Sequence, residues 1–186
     1  MLTVITAPSV EPVTLAEAKS HCRIDADITE HDGLLELLIQ AAREQAEHDT
    51  GRALITQTLQ VLEPASCRLQ LRKPPFLSMT SVVAVDSAGV ETAITGSDYT
   101  IDHSRLIPDL VIKAMPSGAC YIKAQYNAGY GASASSVPSA IRRWMLMHIA
   151  THFEHRESVV VGGSVASMPT PFIDGLLDPF RVRSGF

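Results

Sequence analysis

The stretch EQAEHDTGRALITQTLQVLE, residues 44–63, marks the point at which the sequence changes from a helical to a strand-like pattern. Before it, apolar residues recur every three or four positions, which is the spacing of one helix face. Gly51 then offers the left-handed conformation that commonly ends a helix. After Gly51, apolar and polar residues alternate and β-branched residues are frequent, which is typical of a half-buried strand. We therefore predict a helix that ends near Thr50 and a β-rich region that begins near Leu54.

Three helices are predicted around this boundary. The first, at about residues 15–22, begins with a capping box, in which Thr14 and Glu17 each accept a hydrogen bond from the other's backbone N–H group. The second covers about residues 30–50, and the third covers about residues 138–157. The apolar stripe of the second helix, which we expect to face the core, consists of Leu34, Leu35, Leu38, Ile39, Ala42 and Ala46.

A β-rich region of about seven short strands is predicted at about residues 54–130, between the second and third long helices. Within it, residues 79–94 (MTSVVAVDSAGVETAI) are typical of a hairpin whose turn contains Gly89. The fold class expected from these patterns is α+β: mainly an α-helical bundle with a β-rich insertion and an extended C-terminal tail. Residues 1–157 are expected to form the core of the protein, and residues 158–186 are expected to form the tail.

The composition and charge limit the classes of protein to which the chain can belong. With 186 residues, 46% of them apolar and 19% charged, it is long and apolar enough for one globular domain. Its formal net charge of −5 is the wrong sign for a protein that grips nucleic acid through its overall field. No apolar run is long enough to span a membrane, and the N-terminus lacks the basic region of a signal peptide. Cys22, Cys67 and Cys120 are far apart and odd in number, which argues against a disulfide framework and favours a reducing cytoplasm.

Three histidines near the end of the third predicted helix raise the question of a metal site. His148, His152 and His155 are separated by four and three residues, so they would share one helix face. In the zinc-protease pattern H-E-x-x-H the glutamate acts as general base, but Ile149 occupies that position here. One interpretation is that His148 and His152 pack in the interior or at a subunit contact. The alternative is a metal-dependent hydrolase that uses all three histidines.

No other motif indicates enzyme chemistry. The glycine-rich stretch YNAGYGASAS (126–135) lacks both G-x-G-x-x-G and the lysine of a phosphate-binding loop, and there is no G-x-S-x-G nucleophile elbow. A stand-alone regulator of transcription or packaging would need a basic recognition helix, which the sequence lacks. We therefore predict no enzyme activity, no catalytic or metal-ligating residue and no cofactor.

The C-terminal tail is apolar, but glycine and proline interrupt it repeatedly. Such a segment does not form a compact element of its own and does not have the composition of a disordered one. It either wraps over its own domain or packs on another chain through apolar anchors. The residues that we expect to contact a partner chain are Phe172, Ile173, Leu176, Leu177, Phe180 and Arg181.

Several segments together resemble the head–tail connector (adaptor) proteins of tailed bacteriophages. The N-terminal part of the resemblance lies in PVTLAEAKSHCRID (12–25), LLELLIQAAREQAEHDTGRALITQTL (34–59) and PPFLSMTSV (74–82). The C-terminal part lies in YNAGYG (126–131), VPSAIRRWMLMHIATHFEHRE (137–157), VVVGGSVASMP (159–169) and LLDPFR (176–181). The order and spacing of these segments, which cover nearly the whole chain, carry the resemblance. The chain differs in having histidines within THFEHRE (151–157), where tyrosine or asparagine often stands in the family.

The resemblance implies a structural role in the virion rather than a reaction. Such proteins form rings, expected here to hold about twelve copies, that dock beneath the portal protein after DNA is packaged. The ring extends the DNA channel and offers a platform to the next head-completion or tail protein. Packaged DNA would pass through without specific binding, and no membrane would be involved. The chain would be made in the cytoplasm of the bacterial host and would then become part of the head–tail junction of the virion.

Overall fold

A computed structural model of the protein describes residues 1–155 and 175–182. The chain divides into two compact units, each built from two separate stretches of sequence. We call Met1–Ser9 together with Gly51–Ala132 the β unit, and Val10–Thr50 together with Ser133–Phe186 the helical unit. All residues of the β unit are described, whereas the helical unit includes the residues that are not.

The β unit contains two antiparallel sheets. Its strands are β1 (Leu2–Thr6), β2 (Gln57–Pro64), β3 (Arg68–Gln70), β4 (Phe76–Asp86), β5 (Glu91–Ala93), β6 (Tyr99–Asp102), β7 (Asp109–Ile112) and β8 (Ala119–Ala128). The larger sheet has five strands in the order β1-β2-β8-β4-β5, and the smaller has three strands in the order β3-β7-β6. The long strand β8 therefore lies at the centre of the larger sheet, between β2 and β4.

Alternation along the central strands places one face of the larger sheet in the core. Leu59 and Val61 of β2 lie opposite Tyr126 and Ala124 of β8, and all four residues are completely buried. Because residues directly opposite each other share a face, this side of the two strands forms a continuous apolar layer. The same core cluster contains buried residues of the smaller sheet, such as Leu110 on β7.

The backbone approaches itself closely just after β8. Gly129 has a φ of +139°, and a Cβ atom at this position would lie 2.6 Å from backbone atoms of Ile55 and Thr56. The Gly129 N–H also donates a hydrogen bond to the carbonyl oxygen of Pro75 at 2.9 Å. The position requires glycine because any side chain would overlap with main-chain atoms that two hydrogen-bonded segments hold in place.

The helical unit contains three α-helices among its described residues: α1 (Leu15–His21), α2 (Asp32–Thr50) and α3 (Ser139–Glu154). The capping box predicted for α1 is confirmed. The Thr14 hydroxyl accepts a hydrogen bond from the Glu17 N–H at 3.2 Å, and the Glu17 carboxylate accepts one from the Thr14 N–H at 2.9 Å. The predicted end of α2 is also confirmed, since Gly51 follows it with a φ of +67°.

One face of α2 and one face of α3 supply most of the core of this unit. Two of the six residues in the predicted α2 stripe, Leu34 and Leu38, are only half-buried, so the stripe is less buried than expected towards its N-terminal end. The buried apolar residues of the two helices are Leu35, Ile39, Ala42 and Ala46 on α2 and Ile141, Trp144, Met145 and Ile149 on α3.

The expected fold class, mainly an α-helical bundle with a β-rich insertion, is wrong. Helix and strand each account for about 29% of the described residues, and the strands form two antiparallel sheets. The strands build a unit with its own core because each buries one face, as layered sheets require. They are also not confined to an insertion after α2, since β1 precedes α1 in the chain and forms one edge of the larger sheet.

The sequence patterns predict no element before residue 14, so β1 is an additional strand. It pairs antiparallel with β2, so that Leu2 lies opposite Val61 and Val4 lies opposite Leu59. The segment is rich in β-branched residues, as strands commonly are, but it is short. Its partner in the sheet is more than fifty residues away in the sequence, which no local pattern reveals.

The hairpin predicted in residues 79–94 is confirmed. Strands β4 and β5 pair antiparallel, with Val83 opposite Ala93. In the turn between them, the Asp86 carboxylate accepts hydrogen bonds from the backbone N–H groups of Ala88 at 2.8 Å and Val90 at 2.9 Å. Aspartate is favoured in turns because its side chain can bond to the backbone in this way.

Candidate interaction surfaces

A buried lysine fixes the connection between α1 and α2. The Lys19 Nζ atom lies 2.6 Å from a carboxylate oxygen of Asp32 and donates a hydrogen bond to the carbonyl oxygen of Ile28 at 2.8 Å. Lysine is rarely buried unless its charge is paired, and here the residue is only 6% exposed. The ammonium group therefore ties the loop that precedes α2 to the side of α1.

An arginine on α3 holds the start of α1. The Arg142 Nε atom donates a hydrogen bond to the carbonyl oxygen of Pro12 at 2.9 Å, and its guanidinium also pairs with the Glu17 carboxylate. The pKa of Glu17 is lowered, first by the hydrogen bond from the Thr14 backbone and then by the Thr14 side chain and Arg142. Glu17 thus serves both as a helix cap and as the contact of α1 with α3.

A second ion pair fixes the segment before α1 to α2. The Nε atom of Arg43 lies 2.8 Å from a carboxylate oxygen of Glu11, and Arg43 is buried. The pKa of Glu11 is raised, because the desolvation caused by burial outweighs the attraction of Arg43. In this unit, the buried charges of Lys19 and Arg43 link structural segments to each other.

An open groove runs along the exposed side of α1. It has a volume of about 680 Å³, and its lining consists of Leu15, Ala16, Lys19, Ser20, Arg23, Ile24, Asp25 and Ala26. The buried Lys19 ammonium is already paired with Asp32. A neighbouring depression includes Glu17, whose carboxylate is likewise paired with Arg142. The charges of Lys19 and Glu17 are therefore engaged in holding segments of the helical unit together.

The three histidines do not form a buried cluster. The His148 ring is half-buried and stacks on the Trp144 ring at a centroid distance of 4.8 Å, and the His152 ring meets His148 edge-on at 4.4 Å. His152 and His155 are exposed. Within residues 1–155 and 175–182, no group of three or more His, Cys, Asp or Glu side chains is placed to hold a metal ion. Of the two histidines considered for packing in the interior, His148 is thus only half-buried and His152 is exposed.

Of the six residues predicted to contact a partner chain, two are not described by the structure and a third is buried within its own chain. Phe172 and Ile173 lie outside the described residues. Leu177 is completely buried within its own chain, and the N–H of nearby Val182 donates a hydrogen bond to the carbonyl oxygen of Thr50 at 2.7 Å. This part of the tail therefore packs on the helical unit to which it belongs.

Three other predicted contact residues remain accessible. Leu176 and Phe180 are half-buried, and Arg181 is exposed and forms an ion pair with Asp178 at 3.4 Å. A contact of these residues with another chain stays a prediction. In the conformation described, Leu177 is not available to a partner because it is already buried.

The three cysteines, Cys22, Cys67 and Cys120, are free thiols that form no disulfide bond. Cys67 and Cys120 are exposed, whereas Cys22 is partly buried. Burial, with a smaller effect of the nearby Glu154 charge, raises the pKa of the Cys22 thiol and so favours its neutral, less reactive form.

None of the described helices combines the length and apolar character needed to cross a membrane.

The segment with the capping box, Lys19 and α2 is also the segment that matches a known protein family. Residues 12–73 match the model of the phage gp6-like head-tail connector protein family. The resemblance recognised from the sequence is thereby confirmed over this third of the chain. The matched segment covers α1, α2 and the first strands that follow, and it includes Glu17, Arg43 and Gly51. A comparison with curated protein sequences gives no match.

Solved structures match over a longer range than the family model does. A chain from the neck of an empty gene transfer agent (GTA) particle, computed with C6 symmetry, has a TM-score of 0.82 and 24% identity, covering 100% of this chain and 97% of that chain. A chain from the virion of a native GTA particle gives the same values. A chain from the neck of a native GTA particle, computed with C12 symmetry, has a TM-score of 0.76 at 24% identity and the same coverage. At this identity the likeness establishes the fold, and together with the family match it supports a structural connector role.

Proposed function

We propose that this protein is a structural head–tail connector of a phage-like particle. Copies of it assemble into a ring beneath the portal protein, extend the DNA channel and present a platform to the next head-completion or tail protein. The observation that carries the proposal is the coincidence of two matches: the connector family over residues 12–73, and chains of particle necks over the whole fold. The protein is then a component of the virion, made in the cytoplasm of the host.

The symmetry of the matched particles supports a cyclic assembly. The necks that contain similar folds were computed with C6 and C12 symmetry, which agrees with a ring of about twelve copies. A closed ring uses head-to-tail contacts, so each subunit needs two unlike surfaces. The accessible tail residues Leu176, Phe180 and Arg181 are candidates for one of the contacts with a neighbouring subunit or with the portal.

The charge of the chain suits a channel through which DNA slides. A net charge of −5 disfavours the phosphate contacts that would hold DNA in place. The alternative function, a metal-dependent hydrolase, receives no support from the geometry of the histidines. His148 uses its ring face to stack on Trp144, and no glutamate occupies the general-base position at Ile149.

The test is assembly with the portal protein of the same phage or prophage. The two proteins are produced together, and their complex is studied by sedimentation velocity and electron microscopy. We expect a ring-sized species that is seated on the portal and has cyclic symmetry. A chain that remains monomeric and fails to bind the portal under all ionic strengths tested would contradict the proposed function.

A further inference from the structure

The two sheets of the β unit have four outer edges, and one of them differs from the others. Strands β3 and β5 have three residues each and β6 has four, and these strands carry Arg68, Glu91 and Asp102 respectively. Short length and charged side chains are common protections of an exposed sheet edge. Strand β1 is longer, with the sequence LTVIT, and has no charged side chain. Indeed, no charged side chain occurs before Glu11.

Among residues 1–155 and 175–182, no strand pairs with the outer side of β1, which presents main-chain groups that a further strand can bind. The Leu62 N–H donates to the Met1 carbonyl oxygen at 2.9 Å, and the Met1 amine donates to the Leu62 carbonyl oxygen. In antiparallel pairs, hydrogen-bonded and non-hydrogen-bonded positions alternate. Thr3 is therefore the next residue bonded to β2, while the N–H and C=O groups of Leu2 and Val4 point away from the sheet.

The apolar core is incompletely covered at this edge. Val4 lies opposite Leu59, which is completely buried, so both are on the core side of the sheet. Val4 is nevertheless 46% exposed, and the neighbouring Ile5 is 49% exposed. A further strand along β1 would cover Val4 and continue the layer that Leu59 begins.

We propose that the outer edge of β1 binds an extended segment of a second copy of this chain by strand addition. The proposal rests on the proposed ring and identifies one of its two unlike subunit surfaces. The ring symmetry of the similar neck structures favours a second copy as the occupant, because every subunit of a ring lies beside identical copies. Copies with a net charge of −5 repel each other, and a contact through an edge without charged side chains avoids placing like charges face to face.

The experiment compares two substitutions at the same position in the full-length chain. Val4→Pro removes an N–H that points away from β2, and proline is tolerated at a sheet edge in this orientation. Val4→Thr is the matched control, since it keeps both the N–H group and a β-branched side chain. Ring formation is measured by sedimentation velocity and native mass spectrometry, with the portal protein present, and circular dichroism checks that each variant is folded.

We expect the wild type and Val4→Thr to assemble, and Val4→Pro to remain folded but to need at least a tenfold higher concentration to form rings. Rings of Val4→Pro that form as readily as those of the wild type would overturn the assignment of this edge while leaving the connector function intact. A wild-type chain that forms no ring would overturn the proposed function itself.

Hydrogen exchange of the wild type provides a second measurement that does not depend on the folding of Val4→Pro. Strand addition predicts that the amide hydrogens of Leu2 and Val4 exchange more slowly in the assembled ring than in the monomer, whereas that of Thr3 is protected in both. Equal exchange at Leu2 and Val4 in the two states would contradict the proposal.

Discussion

At the level of single residues, Gly129 is a position at which the β unit cannot accept a side chain. We expect Gly129→Ala to lower the free energy of unfolding by about 3 kcal/mol or more, because its Cβ would lie 2.6 Å from the backbone of Ile55 and Thr56. Gly89 is the matched control, since it also has a positive φ but no atom within 4 Å of an added Cβ. Gly89→Ala should cost only about 1 kcal/mol. Urea denaturation of both variants checks this, and equal losses would show that the close approach is not the cause.

The charge of Glu17 is a second feature at the level of single residues, and its contribution to the stability of the fold depends on pH. Its pKa is lower in the folded protein than the usual 4.5, so the ionised form is the one that stabilises the fold. This contribution is present above about pH 4.5 and is lost as the pH falls through the lowered pKa. We expect Glu17→Gln to cost about 0.5–1 kcal/mol near neutral pH, and less in acid, because glutamine can still cap the helix but lacks the charge that faces Arg142 and the helix N-terminus.

The matched control for Glu17 is Glu36→Gln, which changes an exposed carboxylate in the interior of α2. Melting temperatures of both variants and the wild type are measured from pH 7 down to pH 3. A Glu17→Gln deficit that stays constant over this range would show that the carboxylate charge has no part in the cap.

At the level of elements, the described part of the tail is anchored mainly by one side chain. Leu177 is completely buried, so Leu177→Ala should lower the free energy of unfolding by about 2–5 kcal/mol through lost burial and the cavity left behind. Leu37→Ala on α2 is the control, since Leu37 is 63% exposed and its truncation should change stability by less than about 0.5 kcal/mol. Thermal unfolding distinguishes them. Similar melting temperatures for the two variants would mean that the tail does not pack on its own chain in solution.

The elements that could be predicted from the sequence are those whose stabilising contacts are local. The cap of α1, the end of α2 at Gly51 and the hairpin turn at Asp86 each depend on residues within a few positions of one another. Strand β1 depends on a partner strand far along the chain. The large share of strand depends on a core to which both sheets contribute buried residues. Local periodicity reveals neither contact, so the sequence alone predicts too large a share of helix and no strand at residues 2–6.

The same distinction applies to the candidate surfaces. His148 and His152 contact each other because their four-residue spacing is helical, whereas His155 lies beyond the end of α3. Only the packing of α3 decides that His148 is half-buried and His152 exposed. The apolar character of Leu177 was visible in the sequence, while its burial within the chain depends on the packing of the tail on the helical unit. An uncharged sheet edge becomes recognisable only once β1 is known to be a strand.

At the level of the whole molecule, the acidic balance predicts weak binding to DNA. Titration of a labelled duplex at moderate salt should show a dissociation constant no tighter than about 10⁻⁶ M, the limit of ordinary non-specific binding. The affinity should not depend on the sequence of the duplex. Two unrelated duplexes serve as the comparison, and nanomolar binding to either would be incompatible with a channel that lets DNA slide.

The central position of β8 has a consequence for synthesis on the ribosome. This strand joins β2 to β4, yet it is the last strand of the larger sheet to be translated. Until residue 128 has emerged, β1 with β2 and β4 with β5 are separate pairs without a common neighbour, and isolated two-stranded pairs are at best marginally stable. The helical unit waits longer still, because α3 and the tail follow β8. The nascent β unit can therefore complete its larger sheet only after β8 has emerged, and the helical unit can complete its core only after α3 and the tail have followed.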